Sequence, residues 1–399
     1  MTGYTGSFVK RTGNKQDGCA TFFKKLLFEC EAEVPVTYFV PCVAPLDRDN
    51  VALLLLLRPK LPAPSAAQTR AAKLCVANTH LLFNPGRGDV KLAQLMKLFA
   101  EIDQLAYQPC PAGPRHQNHY PVLVCGDMNL LPFSKLYQFV RSGYLVLNGK
   151  PASKMSGQQD NWSRGYNHSV TADFLGKHSG LTDQSQYVSV CQQRFSMFGG
   201  ASCTSVGEGA PCASSPQVEA ESVPGMYIGS AEEKPIYTLG SGVLSHALGL
   251  ESVYSHFIGP RGSQNQLLHN TPREVTTCHG NANCTVDYIF YTPSLSALSH
   301  SDMHFGYSWT AMTNSTKLAN KAASHTAVSL SSSDISNVLQ QPSVSSMMTP
   351  CHVADYRLTL LARLQLLSTK QVKSAGRLPN RFISSDHLIL AAKFRLTYD

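Results

Sequence analysis

The nine residues Pro121-Val-Leu-Val-Cys-Gly-Asp-Met-Asn129 constrain the fold more than any other stretch of the chain. A short continuous apolar run that stops on a glycine reads as a buried strand. The run ends on Gly126 and delivers a carboxylate and an amide, and residues at i and i+2 of a strand point the same way. Asp127 and Asn129 are therefore expected on one face at the mouth of a sheet, where they can hold water, metal or phosphate. A second reading stays open at this point: Asp127 caps a turn and Asn129 bonds its own backbone, as both residue types do at strand ends.

A length of 399 residues allows one large domain or two. Hydrophobic residues make up 43%, enough for a sizeable core, while charged residues are only 15%, so Ser, Thr, Asn and Gln supply the polarity of long uncharged loops. The net charge of +8 suits an anionic partner such as RNA, although no dense lysine or arginine run forms a dedicated nucleic-acid arm. Twelve cysteines lie singly, mostly within apolar stretches such as those of Cys75, Cys125 and Cys191, with no CxxC pair and no signal peptide at Met1. Reduced thiols in a cytoplasmic protein follow, with the nucleus as the other reducing compartment. Cys278 and Cys284 lie near His279, but their spacing fits no zinc pattern. Val51 to Leu57 is the most apolar run, yet it is far shorter than the roughly 20 residues needed to cross a bilayer. It reads as a core strand, and no membrane insertion is expected.

Between Gly3 and Lys25 the pattern predicts two short strands around the turn Gly13 to Gly18. Tyr38 to Val43, Asn50 to Leu57 and Leu74 to Leu82 read as further strands. Asp89 then caps a helix carrying Val90, Ala93, Leu95, Leu98, Phe99, Ile102, Leu105 and Ala106, which Pro109 stops. The order strand, loop, helix, strand places the loop Asn84 to Gly88 beside the end of the Pro121 strand. A second helix is predicted from Ser134, with Leu136, Phe139 and Val140. Val253 to Phe257 is strand-like, Val286 to Tyr291 is a strand, Tyr356 to Leu367 an amphipathic helix, and Leu388 to Leu396 a final strand. One domain over 1–399 is expected, with disordered insertions at about 195–235 and 296–350. The second insertion holds fourteen serines among 55 residues and only four charged ones, and such Ser-rich segments are where protein partners would bind.

Three more motifs join the opening one. Ala77-Asn-Thr-His80 ends a strand, Val286-Asp287 begins another, and Ser384-Ser-Asp-His387 precedes the last. Each sets His or Asp at a strand boundary, where a sandwich or open sheet exposes residues to a cleft. Hydrolysis of a phosphate ester needs an ionised group to orient or deprotonate water, donors for the phosphoryl oxygens, and often a divalent metal. Asp127, Asn129, Asp287, Asp386, His80 and His387 are that set. A carboxylate as buried as Asp287 should be requires a partner, and His387 is a candidate. Carboxylate and amide oxygens suit magnesium (Mg2+), or manganese (Mn2+) in its place.

The strings NTHLLFNPGRGDVKLAQ, VLVCGDMN, TVDYIF and SSDH, in this order, resemble the endonuclease/exonuclease/phosphatase family. RTGNKQDGCA, RDNVALLLLLRP, GLTDQSQYVSVC and LPNRFISSDHLILAAKFRL are similar to its Angel branch, within the nocturnin and carbon-catabolite-repression deadenylase group. The resemblance implies an α+β fold: a two-sheet β-sandwich flanked by helices, four-layered and like pancreatic deoxyribonuclease. It also implies roles. Asp127 would activate the attacking water and Asn129 hold the scissile phosphate. His387 would stabilise developing charge or act as acid and base, with Asp287 fixing its tautomer. Asp386 would lie in or near the metal shell, and His80 would face the phosphate from the opposite sheet. Pro85 would stack on the terminal base, while Arg87 and Lys91 are candidate backbone-phosphate contacts that read equally as solvated side chains. The implied function is a magnesium-dependent phosphoesterase acting on RNA 3′ ends, a 3′–5′ exoribonuclease like the deadenylases. The alternatives are an RNA 2′,3′-cyclic phosphatase and a non-catalytic RNA- or protein-binding scaffold.

The chain departs from the family pattern in two places. The family's first strand, first helix and the strand ending in Gln-Glu have no counterpart here, so the fold is expected to lack them. The principal metal ligand, that Glu, goes with them, and impaired activity is the expectation. Where the deadenylases place an aromatic residue opposite the base-stacking proline, this chain has Ala282. Stacking on an aromatic is worth about 1–3 kcal/mol per base, so adenine preference should be weak.

Overall fold

The computed structural model describes residues 3–60, 72–108, 118–147, 149–158, 168–197, 237–254, 274–280, 282–293 and 356–398. All of them lie in one compact unit, formed by Met1–Leu295 together with Val353–Asp399. In chain order the principal strands and helices begin with the hairpin β1 (Tyr4–Lys10) and β2 (Gly18–Lys24), followed by β3 (Phe28–Thr37), β4 (Val51–Pro59) and β5 (Leu74–His80). Helix α1 (Gly88–Ala106), β6 (Val122–Asp127), α2 (Lys135–Ser142) and α3 (Val188–Met197) come next. β7 (Glu251–Ser252), the hairpin β8 (Thr277–His279) and β9 (Ala282–Cys284), β10 (Asp287–Tyr291), and the hairpin β11 (Tyr356–Arg363) and β12 (Ala392–Tyr398) complete the set.

Six of these strands form the main sheet, in the order β7-β10-β6-β5-β4-β3. β5 and β6 pair in parallel because α1 carries the chain back over one face between them. On that face Leu54, Leu56, Ala77, Val124 and Phe290 pack in one continuous core with Leu92, Phe99 and Ile102 of α1 and with Phe139 of α2. α2 starts where the sequence places it: the Ser134 hydroxyl accepts the Tyr137 amide at 3.1 Å, and Gly143 closes the helix in the left-handed region, with φ 67°.

The alternate residues of β4, Val51, Leu53, Leu55 and Leu57, face the other way and pack under Val9, Cys19 and Phe23 of the β1–β2 hairpin. A strand buried on both faces cannot alternate with polar residues, which explains the unbroken apolar run. Farther along this second face, Ile289 and Tyr291 of β10 pack with Leu360 and Phe394 of the β11–β12 hairpin. The architecture is thus an α+β sandwich, helices on one side of the main sheet and strand hairpins on the other.

Several expectations are corrected. Tyr38 to Val43 is not a strand but a turn-bearing segment; Tyr38 is buried because its hydroxyl meets Thr79 Oγ1 at 2.8 Å. The strand lies just before it, in β3. Tyr356 to Leu367 is not a helix: residues 356–363 are β11, paired antiparallel with β12. Leu-Thr-Leu-Leu suits either period, and the cross-strand partner decides. The final strand begins at Ala392 rather than Leu388, and Val253 and Tyr254 form a turn after β7. Of the predicted insertion at 195–235, the first three residues end α3; residues 198–235 and 296–350 lie outside the described residues.

Candidate active site

Strand register assembles the site. His80 pairs with Asp127 across β5 and β6, and Asp127 pairs with Asp287 across β6 and β10. Residues opposite each other in a sheet share a face, so the three stand in one row, on the side away from α1. Gly126 makes the approach of β5 and β6 feasible. It sits at φ 142°, and a Cβ there would lie 1.9 Å from the Thr79 carbonyl oxygen.

The fourth member arrives from the segment before β12. Thr277 forms a bridge with His387, the Thr277 hydroxyl donates to the Asp386 carbonyl at 2.8 Å, and the Leu388 amide donates to the Thr276 carbonyl at 2.7 Å. The β8–β9 hairpin therefore pins the Ser-Ser-Asp-His motif. His387 Nδ1 lies 2.7 Å from Asp287 Oδ2, while its Nε2 is 4.0 Å from Asp127 Oδ2 and 3.9 Å from Asp386 Oδ2. His80 Nε2 approaches Asp127 Oδ2 from the other side at 3.5 Å. The second oxygen of Asp127 accepts the Asn129 amide at 2.8 Å. One oxygen of Asp127 thus caps the turn and the other faces the histidines.

Burial, followed by the Asp287 carboxylate beside it, pushes Asp127 up to about 6. The hydrogen bond that His387 donates to Asp287 raises the imidazole to about 9. Near neutral pH the site therefore holds an ionised Asp127 next to an imidazolium, a base beside an acid.

Ligand atoms of Asp127, Asp287 and His387 all come within 4.8 Å of one another. The donor chemistry fits a hard divalent cation, because Asp127, Asp287 and Asp386 offer carboxylate oxygens and no thiolate takes part. Asp386, which the family resemblance puts in or near the metal shell, has a side chain 56% exposed and stands at the rim.

The remaining sequence candidates fall elsewhere. The strand ends at Asp127, and Asn129 does not share its open face: at φ 47° it turns inward, is 2% exposed, and donates its side-chain amide to the Leu81 carbonyl at 3.1 Å. Arg87 is gripped by Asp89, with Nε to Oδ1 at 3.0 Å and Nη2 to Oδ2 at 2.9 Å. Lys91 is fully buried, so it is no phosphate contact; the first turn of α1 faces the protein interior and takes both basic residues with it. Pro85 lies in the loop after His80, where its carbonyl accepts the Ser156 hydroxyl at 3.1 Å. Sequence reasoning missed Asn50, which holds the His80 carbonyl at 3.0 Å and is itself met by Gln94 at 3.3 Å. The available signal was an uncharged polar residue at the start of the most apolar run and another inside the apolar helix.

No family model matches the chain. Individual proteins do. Protein angel homolog 1 of Homo sapiens is 35% identical over 414 residues, which covers 99% of this chain and 52% of that one. Protein angel homolog 2 of Danio rerio is 34% identical over 394 residues, with the same two coverages of 99% and 52%. The crystal structure of ANGEL2, a 2′,3′-cyclic phosphatase, in complex with adenosine-2′,3′-vanadate is similar at 32% identity and a TM-score of 0.60, covering 99% of this chain and 75% of that one. The fold is that of the solved relative. The chain belongs to the endonuclease/exonuclease/phosphatase family, in its Angel branch. It spans about half the length of the angel homologs it matches, 52% of each. Among the described residues no helix is long and apolar enough to cross a membrane.

Proposed function

We propose that the protein is a magnesium-dependent phosphoesterase acting on RNA 3′ ends, and that a 2′,3′-cyclic phosphate is the end it takes best. One observation carries the reading: the hydrogen-bonded His387–Asp287 pair set against an Asp127 that ionises near 6. Asp127 orients water and accepts its proton as the water oxygen bonds to phosphorus. The ring P–O bond breaks, and His387 Nε2 gives its proton to the departing ribose oxygen. Asp287 keeps the other ring nitrogen engaged, so Nε2 is the atom left for substrate. His80 faces the phosphoryl oxygens across Asp127. Magnesium, or manganese in its place, supplies charge neutralisation of the phosphoryl group when bound; the carboxylates of Asp127, Asp287 and Asp386 would hold it.

Two features favour the end group over the base. Position 282 is alanine, which gives no aromatic face opposite Pro85, and the similar solved protein is a 2′,3′-cyclic phosphatase. The deadenylase-like 3′–5′ exoribonuclease is the second reading, and the retained Pro85 favours it. The net charge of +8 suits RNA as the partner. Eight described cysteines are free thiols, which suits the cytoplasm or nucleus. The Ser-rich segments remain our candidates for binding protein partners.

The test gives the full-length protein magnesium and three substrates: RNA ending in a cyclic phosphate, poly(A) and mixed-sequence RNA. We expect ring opening without chain shortening, lost in Asp127→Ala. Faster shortening of poly(A) would move the assignment to the exonuclease. Absence of turnover on all three would leave the non-catalytic scaffold.

A further inference from the structure

We propose that Lys91 is a positioning residue: its buried ammonium, bonded to the Asn129 carbonyl, fixes the turn that aims the Asp127 carboxylate. The inference rests on the phosphoesterase reading for its kinetic consequence, but its geometry stands apart from it. Lys91 Nζ donates to the Asn129 carbonyl at 2.6 Å and to Gln158 Oε1 at 2.6 Å, with no exposed surface.

The turn it reaches is held in an uncommon shape. Asn129 lies at φ 47°, a left-handed conformation uncommon outside glycine that asparagine adopts more readily than most residues. Support comes from every side: the Met128 amide donates to the Val286 carbonyl at 2.9 Å, the Asn129 side chain to Leu81 at 3.1 Å, and the Asn129 amide to Asp127 Oδ1 at 2.8 Å. That last bond sets which way the Asp127 carboxylate turns. It persists only while the chain at 129 keeps its orientation, and Lys91 grips the carbonyl of the same residue.

The anchor is itself rigid. A Cβ at Gly88 would lie 2.5 Å from the Ala152 carbonyl, so the start of α1 rests against the segment that leads to Gln158. A cation buried in this way is costly, and an apolar side chain of similar volume is often neutral or stabilising in its place. A stability role alone gives little reason to keep it. A positioning role does.

The experiment compares Lys91→Met and Gln158→Leu with the parent in the full-length protein. It measures kcat and KM on cyclic-phosphate-ended RNA well below each unfolding midpoint, and backbone amide exchange over residues 122–130. We expect Lys91→Met to lower kcat about a hundredfold, the cost of misplacing a catalytic group by about 1 Å. KM should stay within about threefold and exchange at 122–130 should accelerate, while Gln158→Leu, which spares the Asn129 contact, keeps turnover within about threefold, against that hundredfold effect. Unchanged kcat and exchange in Lys91→Met would overturn the proposal, and so would an equal loss in Gln158→Leu. If the parent turns over no RNA, the phosphoesterase reading fails, and exchange alone decides the positioning role. If Lys91→Met does not fold, Lys91→Gln is read by the same criteria.

Discussion

The two faces of the main sheet are built differently. Toward α1, residues from five strands of the sheet merge with those of α1 and α2 into a single core. On the opposite face the apolar residues form two separate clusters, one under each hairpin. Leu123 and Cys125 of β6 lie on the strip between them, partly exposed and in neither cluster. In register they follow the rows Val76–Leu123–Tyr291 and Asn78–Cys125–Ile289, and the next paired row is His80–Asp127–Asp287. One face carries stability, and the open strip of the other leads to the chemistry.

The strongest way to break this division is Asp287→Asn. It should cut turnover near neutral pH about 10³-fold, within the range for removing acid–base assistance, and leave the denaturant midpoint nearly unchanged above a pH of about 9, where His387 no longer carries the proton that Asp287 stabilises. A matching loss of stability would mean that the open face is structural after all. Leu54→Ala is the converse probe on the helix face. Its side chain is 0% exposed, so about 2–5 kcal/mol of stability should be lost in urea unfolding, with turnover kept by the folded fraction.

Acidity sharpens the contrast further. Turnover should rise as pH passes about 6 and Asp127 ionises, then fall as His387 loses its proton near 9. Stability follows the same groups with defined sign. His387 is raised from 6.5 to about 9, so its contribution is complete below 6.5 and disappears as pH rises through about 9. Asp127 is raised from 3.8 to about 6, so its protonated form is favoured on folding and that benefit disappears as pH rises through about 6. In chelator-treated protein at pH 8, Asp127→Asn should therefore raise stability by on the order of 1 kcal/mol, seen as a higher melting temperature. The smallest effect is expected on the outer side of the β1–β2 hairpin. Phe22 is 62% exposed, and Phe22→Ser should change stability by less than about 0.5 kcal/mol.

Much of the site was legible because its residues stand where apolar runs stop. Asp127, His80 and Asp287 end or begin strands whose cores are mainly apolar, and in the structure they stand together with His387. What stayed hidden depends on direction. Nothing in Gly-Asp-Met-Asn says that Asn129 turns inward at φ 47°. Nothing in the spacing of α1 says that Lys91 belongs inside, since a lysine on a helix is ordinarily solvated. Tyr38 to Val43 and Tyr356 to Leu367 were misread for a related reason. Their apolar residues satisfy a local period, but burial by Thr79 in one case and pairing with β12 in the other determined the outcome.

The row built by register also has a kinetic consequence. Asp287 and His387 meet although 100 residues separate them, and Tyr288 reaches Leu130 across 158. Contacts of such long range form late, because chain closure must be achieved before pairing rewards it. A molecule with α1 formed and β10 still unpaired would hold helical signal and a partial core, yet no row of His80, Asp127 and Asp287 with His387 set against it. During refolding, the proposed activity should therefore return after the helical signal and together with the last strand pairing.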